Sequence, residues 1–348
     1  MSLFSDASIL QFVRQALPEE AWHGPVAPLA GGAINQVCRI QGAARSVIFK
    51  HAPPHIASHP DIPLDDSRIH FEGNALKLFQ QEPALQALLQ QNIRPPRLIH
   101  HDTQLACLLL EDLGGGPSLG TIPTAQALQN HTILGRALGR FIGDLHRATR
   151  NRPDFAEHFN NRPVQQTRLQ VQYLGTAELA ETFALPKADL AEIRANITDL
   201  GQRLLEPGTC LIMGDLWPPS ILPRENGLRL IDWEFTHYGQ PLQDCAHLAA
   251  HCHMHARAAP TPSEARNWIE FWQAFVDGYG IHPLDAATLR DWNLHFAAEC
   301  FMRTIGPFRS HGPFTQIDDE DTRLRNTQMM ALDILKRPER PPIFAWSA

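Results

Sequence analysis

The sequence predicts an α/β (α+β) protein of two lobes, a smaller β-rich N-lobe over residues 1–113 and a larger, mainly helical C-lobe over residues 114–348. Three observations carry this reading. At 348 residues the chain exceeds the size at which a single core usually stops growing. Strand-length apolar runs bounded by turn residues crowd the first third, and helical periodicity prevails afterwards. The changeover falls at Gly114-Gly115-Gly116-Pro117, the most flexible punctuation in the chain.

Each element follows in order. Ser5 or Asp6 can cap a first helix with Ile9, Leu10, Val13, Ala16 and Leu17 on one face; Pro18 and Gly24-Pro25 close it. VCRI (37–40) and SVIFK (46–50) read as one hairpin, RLIH (97–100) and LACLLLEDL (105–113) as another, with helices over 66–81 and 84–91 between them. Beyond the glycines, Leu134, Leu138, Phe141, Ile142 and Leu145 mark an amphipathic helix, and 263–279 and 285–305 mark two more. One β interruption breaks this lobe: CLIM (210–213), SIL (220–222) and LRLID (228–232), the last two joined across an Asn226-Gly227 turn.

With 43% hydrophobic and 19% charged residues the composition is that of a globular chain rather than a disordered one. A formal charge of −7 and a pI near 6.2 argue against nucleic acid or an anionic membrane as the main partner, while leaving room for a local phosphate site. The six cysteines are scattered and lack metal or disulfide spacing, and no apolar run of about 18 residues appears. Together with an N-terminus that lacks signal-peptide pattern, these features predict reduced thiols in a cytoplasmic protein. Oligomeric state leaves no mark in the sequence.

Phosphoryl transfer requires phosphate anchoring, Mg²⁺ ligands and a carboxylate to orient the attacking hydroxyl. LAGGAINQVCRI sets Gly31 and Gly32 before a strand, where backbone N–H groups of a loop that includes Asn35 can approach phosphates; a bare hairpin turn has the same appearance. Lys50 ends the strand SVIFK. Glu72 lies on the apolar stripe of Ile69, Leu76 and Phe79, and a charge there needs a partner, for which Lys50 is the obvious candidate. In the C-lobe, Asp215 follows one short strand and Asp232 ends another, so a small ribbon would bring both carboxylates to one end. Oxygen ligands of this kind invite Mg²⁺, and Glu234 adds a third on the same side if the chain stays extended.

In the order Gly31-Gly32, Lys50, Glu72, LLLEDL (108–113), GDLWPPSIL (214–222) and IDWEF (231–235), the chain resembles the aminoglycoside phosphotransferase and choline kinase family, which has a protein-kinase-like fold. The resemblance implies an ATP- and Mg²⁺-dependent kinase acting on a hydroxyl of a small molecule. It makes Asp215 the catalytic base, Asp232 the Mg²⁺ aspartate, Lys50 the phosphate-binding lysine held by Glu72, and Glu111 to Leu113 the hinge that reads adenine. DLHRAT (144–149) and Asp244 match further family positions.

Two departures stand out: Met213 occupies the place of the family's histidine before Gly-Asp, and Ser220 the place of its metal-binding asparagine. A serine hydroxyl can still coordinate Mg²⁺. Serine at that position, Asp232-x-Glu234 and the following Phe235, Tyr238 and Gly239 are similar to methylthioribose kinases, which implies a sugar or thiosugar acceptor. Arg303 keeps one of that subfamily's two late arginines; with Trp217 and Glu234 it is a candidate for acceptor recognition. Rival readings stay open: an inactive nucleotide-binding pseudokinase or scaffold protein, favoured by Met213 and Ser220, and a metal-dependent hydrolase, which leaves Lys50 and Glu72 unexplained. His247, His251 and His255 read as a structural helix face, because no further ligand completes a metal motif.

Overall fold

Alternation along the early strands decides which side chains of the N-lobe enter its core and which one turns toward chemistry. The computed structural model describes residues 4–29, 34–121, 130–280, 284–305, 309 and 312–340. A helix α1 (Asp6–Ala16), capped by the Ser5 hydroxyl accepting from the Ser8 N–H at 3.2 Å, packs on a five-stranded sheet. That sheet is built from β1 (Trp22–Pro28), β2 (Gln36–Gly42) and β3 (Ser46–His51), with β7 (Leu98–Asp102) and β8 (Cys107–Glu111), in the order β1-β2-β3-β8-β7. A small hairpin of β4 (His55–Ile56) and β5 (His59–Pro63) and the short β6 (Ile93–Arg94) come between.

Period-two alternation sends Val47 and Phe49 of β3 and Cys107 and Leu109 of β8 toward Ile9, Phe12 and Val13 of α1. The opposite face carries Ile48, Leu108 and Leu110 and is covered by α2 (Arg68–Gln81), which contributes Ile69, Leu76 and Phe79. Lys50, in register with Val37 and Leu108, belongs to that face and so lies under α2. After Glu82 the chain continues as α3 (Pro83–Leu88) and a 3-10 turn, Leu89–Gln91. The sequence reading has no strand at β1, because Gly24-Pro25 there is read as a break after the first helix, and Pro28 adds a second proline to the strand. The strand tolerates them at the sheet edge, where its pairing with β2 is interrupted between Trp22 and Val26.

The C-lobe is largely helical, beginning with His131–Ala148 and closing with Pro241–Ala258, Pro262–Tyr279, Ala286–Met302 and Thr322–Lys336. Helices His131–Ala148 and Pro262–Tyr279 meet at backbone distance: a Cβ on Gly135 or Gly139 would stand 2.2 or 2.0 Å from the carbonyls of Phe271 or Phe275. No helix among the described residues is long and apolar enough to cross a membrane.

The β interruption differs from the expected single ribbon. Strand β9 (Cys210–Ile212) pairs not with its neighbours but with β12 (His237–Gly239), while β10 (Ile221–Arg224) and β11 (Gly227–Leu230) form a separate hairpin. That hairpin extends by parallel pairing to β6, Leu228 against Ile93, which ties the N-lobe's strand to the C-lobe. Asp215 therefore sits on the loop between two small sheets, and the base of the hairpin brings Ser220, not Asp215, beside Asp232: the Ile231 N–H donates to the Ser220 carbonyl at 3.0 Å.

Histidines line the C-lobe core. Burial pushes His237 and His295 down to about 4 and His255 to about 3, the last stacked on Trp268 with ring centroids 4.3 Å apart. An unfolded chain takes up these protons near 6.5 while the folded chain resists, so their contribution to stability is complete above that value and is lost as pH falls toward 4. The melting temperature should fall by about 5 °C or more between pH 7 and pH 5, as read by calorimetry at constant ionic strength.

Candidate active site

Lys50 is 2% exposed, and its ammonium lies 2.7 Å from Glu72 Oε2 and 2.9 Å from Asp232 Oδ1. Burial works against its charge, but Asp232 and Glu72 outweigh that cost and hold it above the ordinary lysine value. For Glu72, burial is the largest influence; with the charges of Glu234 and Asp232 it overcomes the pull of Lys50 and pushes the carboxyl up to about 7. Sequence alone explains why this pair forms. Glu72 is the charge on the buried face of α2, and the alternation of β3 delivers Lys50 to the same interior.

Asp232 follows β11 in left-handed backbone (φ 65°), and Trp233–Phe235 then form a 3-10 turn. This turn, rather than an extended segment, sets Glu234 on a different heading from Asp232. Its carboxylate is buried against two N-lobe groups: Asn35 donates to Oε2 through Nδ2, and the Arg68 Nε lies 3.5 Å from the same oxygen. Arg68 in turn donates to Asn35 Oδ1 at 2.9 Å and to the carbonyl of Asp65 at 2.6 Å. Two cations, Lys50 and Arg68, thus meet three carboxylates, Glu72, Asp232 and Glu234, and of the three only Asp232 is half-exposed.

The loop that bears Asp215 is held from beneath. Asp244 accepts from the Met213 N–H through Oδ2 and from the Gly214 N–H through Oδ1, both at 2.8 Å, and His146 Nε2 lies 3.3 Å from Oδ2. Gly214 adopts φ +79°, with the Phe235 carbonyl 2.2 Å from where a Cβ would stand, so only glycine fits the bend. Met213 is fully buried and packs in the core, leaving the orientation of the loop to Asp244. Ser220, also fully buried, donates its hydroxyl proton to the Trp217 carbonyl at 2.8 Å, which leaves lone pairs on its oxygen.

Asp215 faces two arginines. Arg168 Nη2 approaches Oδ1 at 3.1 Å and Arg303 Nη2 approaches the same oxygen at 3.9 Å. Arg168 also lies over the Phe235 ring at 5.0 Å, and Arg303 over the Trp217 ring at 4.4 Å. Behind them stands Glu299, buried on the helix Ala286–Met302, which takes Arg303 Nε at 2.8 Å and His251 Nε2 at 2.9 Å on Oε1. Burial alone would raise that carboxyl; Arg303 above all, with His247 and His251, holds it well below the usual range.

The segment Glu111 to Leu113, expected as the hinge, is strongly tethered. Glu111 receives both terminal nitrogens of Arg94, its N–H donates to the Arg97 carbonyl at 2.9 Å, and the Leu113 carbonyl accepts from Arg224 Nε at 3.1 Å. Gly31 and Gly32 lie outside the described residues. Sequence reasoning did not find Arg68, Arg168, Gln172 or Glu299. For Glu299 a signal exists, a lone carboxylate in the apolar run AAECFM one turn before Arg303; Arg168 and Gln172 carry none.

No group of three or more His, Cys, Asp or Glu side chains among the described residues forms a metal cage. The donor set of Ser220 and Asp232 suits Mg²⁺ that arrives with phosphate oxygens and retains waters, because that ion rarely uses an all-protein cage. Excess negative charge beside the half-exposed Asp232 fits a cation there.

Comparison with known proteins places the chain in a family and a fold. The model of the phosphotransferase enzyme family matches residues 25–287. The chain is 26% identical over 273 residues to a 4-hydroxytryptamine kinase of Psilocybe cyanescens, covering 73% of this chain and 74% of that protein. It is 22% identical over 318 residues to the methylthioribose kinase of Bacillus pumilus, covering 83% and 77%. Among solved structures, an amicoumacin kinase in complex with AMP-PNP and Ca²⁺ superposes with a TM-score of 0.56 at 15% identity, over 98% of this chain and 96% of that one. A choline kinase from Cryptosporidium parvum gives a TM-score of 0.52 at 14% identity, over 95% and 96%. These two likenesses establish the kinase-like fold.

Proposed function

The chain belongs to the phosphotransferase enzyme family, and on that premise we propose that it is a small-molecule kinase that transfers the γ-phosphoryl group of ATP, with Mg²⁺, to a hydroxyl of a neutral, polyhydroxylated acceptor such as a sugar or thiosugar. The observation that carries the reading is Lys50 held between Glu72 and Asp232, at 2.7 and 2.9 Å. This is the arrangement that steadies nucleotide phosphates in kinase sites. Mg²⁺ would supply charge neutralisation on the phosphates, held by Asp232 and Ser220. Lys50 binds phosphate oxygens, and Asp215 orients the acceptor hydroxyl and takes its proton. Glu234, engaged by Asn35 and Arg68, serves better as a link between the lobes than as a metal or acceptor ligand.

The Met213 departure, which favoured an inactive scaffold, loses its force because Asp244 performs the loop's orientation through two backbone N–H groups. Charge around Asp215 supports a neutral acceptor. The two carboxylates around that loop, Asp215 and Glu299, are already matched by Arg168 and Arg303, so neither is left as an unpaired anion for an ammonium.

The test is ADP formation by the purified protein with MgATP across methylthioribose, simple pentoses, 4-hydroxytryptamine, choline and an aminoglycoside. Turnover should be highest with the neutral polyols and should vanish on chelation of Mg²⁺. Preference for 4-hydroxytryptamine or choline would overturn the acceptor assignment and leave the kinase reading standing; MgATP binding without transfer to any acceptor would overturn both.

A further inference from the structure

A buried carboxylate that makes no contact with the catalytic loop needs a reason for its desolvation. Glu299 is 2% exposed, and the run AAECFM around it is otherwise apolar. Its two oxygens have separate partners. Oε1 takes Arg303 Nε at 2.8 Å and His251 Nε2 at 2.9 Å; Oε2 takes Gln172 Nε2 at 2.6 Å. From Gln172 the path continues, because its Oε1 accepts from Arg168 Nη1 at 2.7 Å. Arg168 Nη2 then reaches Asp215 Oδ1 at 3.1 Å, and Arg303 Nη2 faces the same atom at 3.9 Å. The contacts close into a ring of five side chains: Asp215, Arg168, Gln172, Glu299 and Arg303. Asp215 Oδ2 stands outside it.

We propose that Glu299 is a positioning residue for phosphoryl transfer: through Gln172 and the two arginines it fixes Asp215 by one oxygen and leaves the other for the acceptor hydroxyl. The inference rests on the kinase reading above and adds to it a residue remote from the reacting atoms. Physical chemistry favours this design. Two guanidiniums drawn toward one oxygen oppose rotation of the carboxylate, and each is itself immobilised, Arg168 over Phe235 and Arg303 over Trp217. The ring balances two positive charges with two negative ones, so neither arginine is left as an unpaired buried cation. Gln172 lies in the π-helical segment Leu169–Leu174, whose wider turn follows directly on Arg168. Irregular turns of this kind often occur at functional sites.

Glu299→Gln tests the proposal, because an amide nitrogen at Oε2 can no longer accept from Gln172 and the ring opens there. Transfer is followed with MgATP and whichever of methylthioribose and 4-hydroxytryptamine the wild type turns over, or as ATP hydrolysis by water if it uses neither. The expected result is a fall in kcat of about 10- to 100-fold with the KM for ATP within about twofold. In an Asp215→Asn background the same change should produce no further loss, since both act through one group.

Gln172→Met, which cuts the ring while keeping all four of its charged side chains, should lower kcat several-fold and guards against misfolding of the first variant. Arginine side-chain Nε–H signals in NMR spectra provide a readout independent of turnover. Both arginines should give slowly exchanging signals in the wild type and lose them in Glu299→Gln. Unchanged kcat despite lost arginine signals would overturn the proposal, as would equal losses in the presence and absence of Asp215. A wild type with an intact ring but no turnover of any kind would instead refute the kinase reading, and the inference would fall with it.

Discussion

Asp215→Asn is expected to lower kcat by roughly 10²- to 10⁴-fold, the contribution usual for a positioned general base, while MgATP still binds. The substitution preserves shape: an asparagine carbonyl oxygen can still accept from Arg168, which approaches Oδ1 at 3.1 Å. What is lost is the acceptor for the hydroxyl proton at the second oxygen. The proposed function assigns nucleotide binding to Lys50, Glu72 and Asp232 instead, whose mutual contacts do not include Asp215. Calorimetric titration with MgATP beside steady-state ADP formation separates the two effects. Turnover within about tenfold of wild type would remove Asp215 from the mechanism.

The largest effect on stability is expected at Asp244. Its carboxylate is fully buried and accepts from two consecutive backbone N–H groups, Met213 and Gly214, one on each oxygen, both at 2.8 Å. Asp244→Ala leaves both donors unpaired in the core, and at about 1–3 kcal/mol for each the fold should lose about 2–6 kcal/mol. Asp244→Asn should be nearly as damaging. Its amide nitrogen would have to face one of those N–H groups, donor against donor. Guanidinium chloride unfolding of the three proteins measures this directly. A loss below about 1 kcal/mol for the alanine variant would show that the loop is held by other means.

Legibility differed from residue to residue for physical reasons. Lys50 and Glu72 could be paired from the sequence because Glu72 puts a charge on an apolar helix stripe and Lys50 is a strand-end amine of opposite charge. Elements of regular periodicity were equally plain: the strands around 37–50 and the helices at 68–81 and 131–148 stand close to where the pattern placed them. The proline-bearing strand β1 and the pairing of β9 with β12 were not, because strand partnership depends on which distant segment occupies an edge. Glu234 shows the same limit at a single residue. Whether it lies on the side of Asp232 turns on the left-handed conformation of Asp232 and the 3-10 turn after it, neither of which its residue type announces.

The sequence by itself determined the two-lobe fold from local periodicity and pointed to the family through its ordered motifs; it also marked residue types that are costly anywhere but in a site. The tertiary structure alone decided what each group faces. It turned Glu234 toward Arg68 and Asn35, gave the Gly214-Asp215 loop to Asp244 to hold, and closed Asp215 into a ring with Arg168, Gln172, Glu299 and Arg303. Apart from Arg168–Gln172 and Glu299–Arg303, each one helical turn apart, those partners lie 30 to 199 residues apart in the chain. Hydrogen bonds and ion pairs act over a few ångströms of space, so separation along the sequence contains no record of them until the chain has folded.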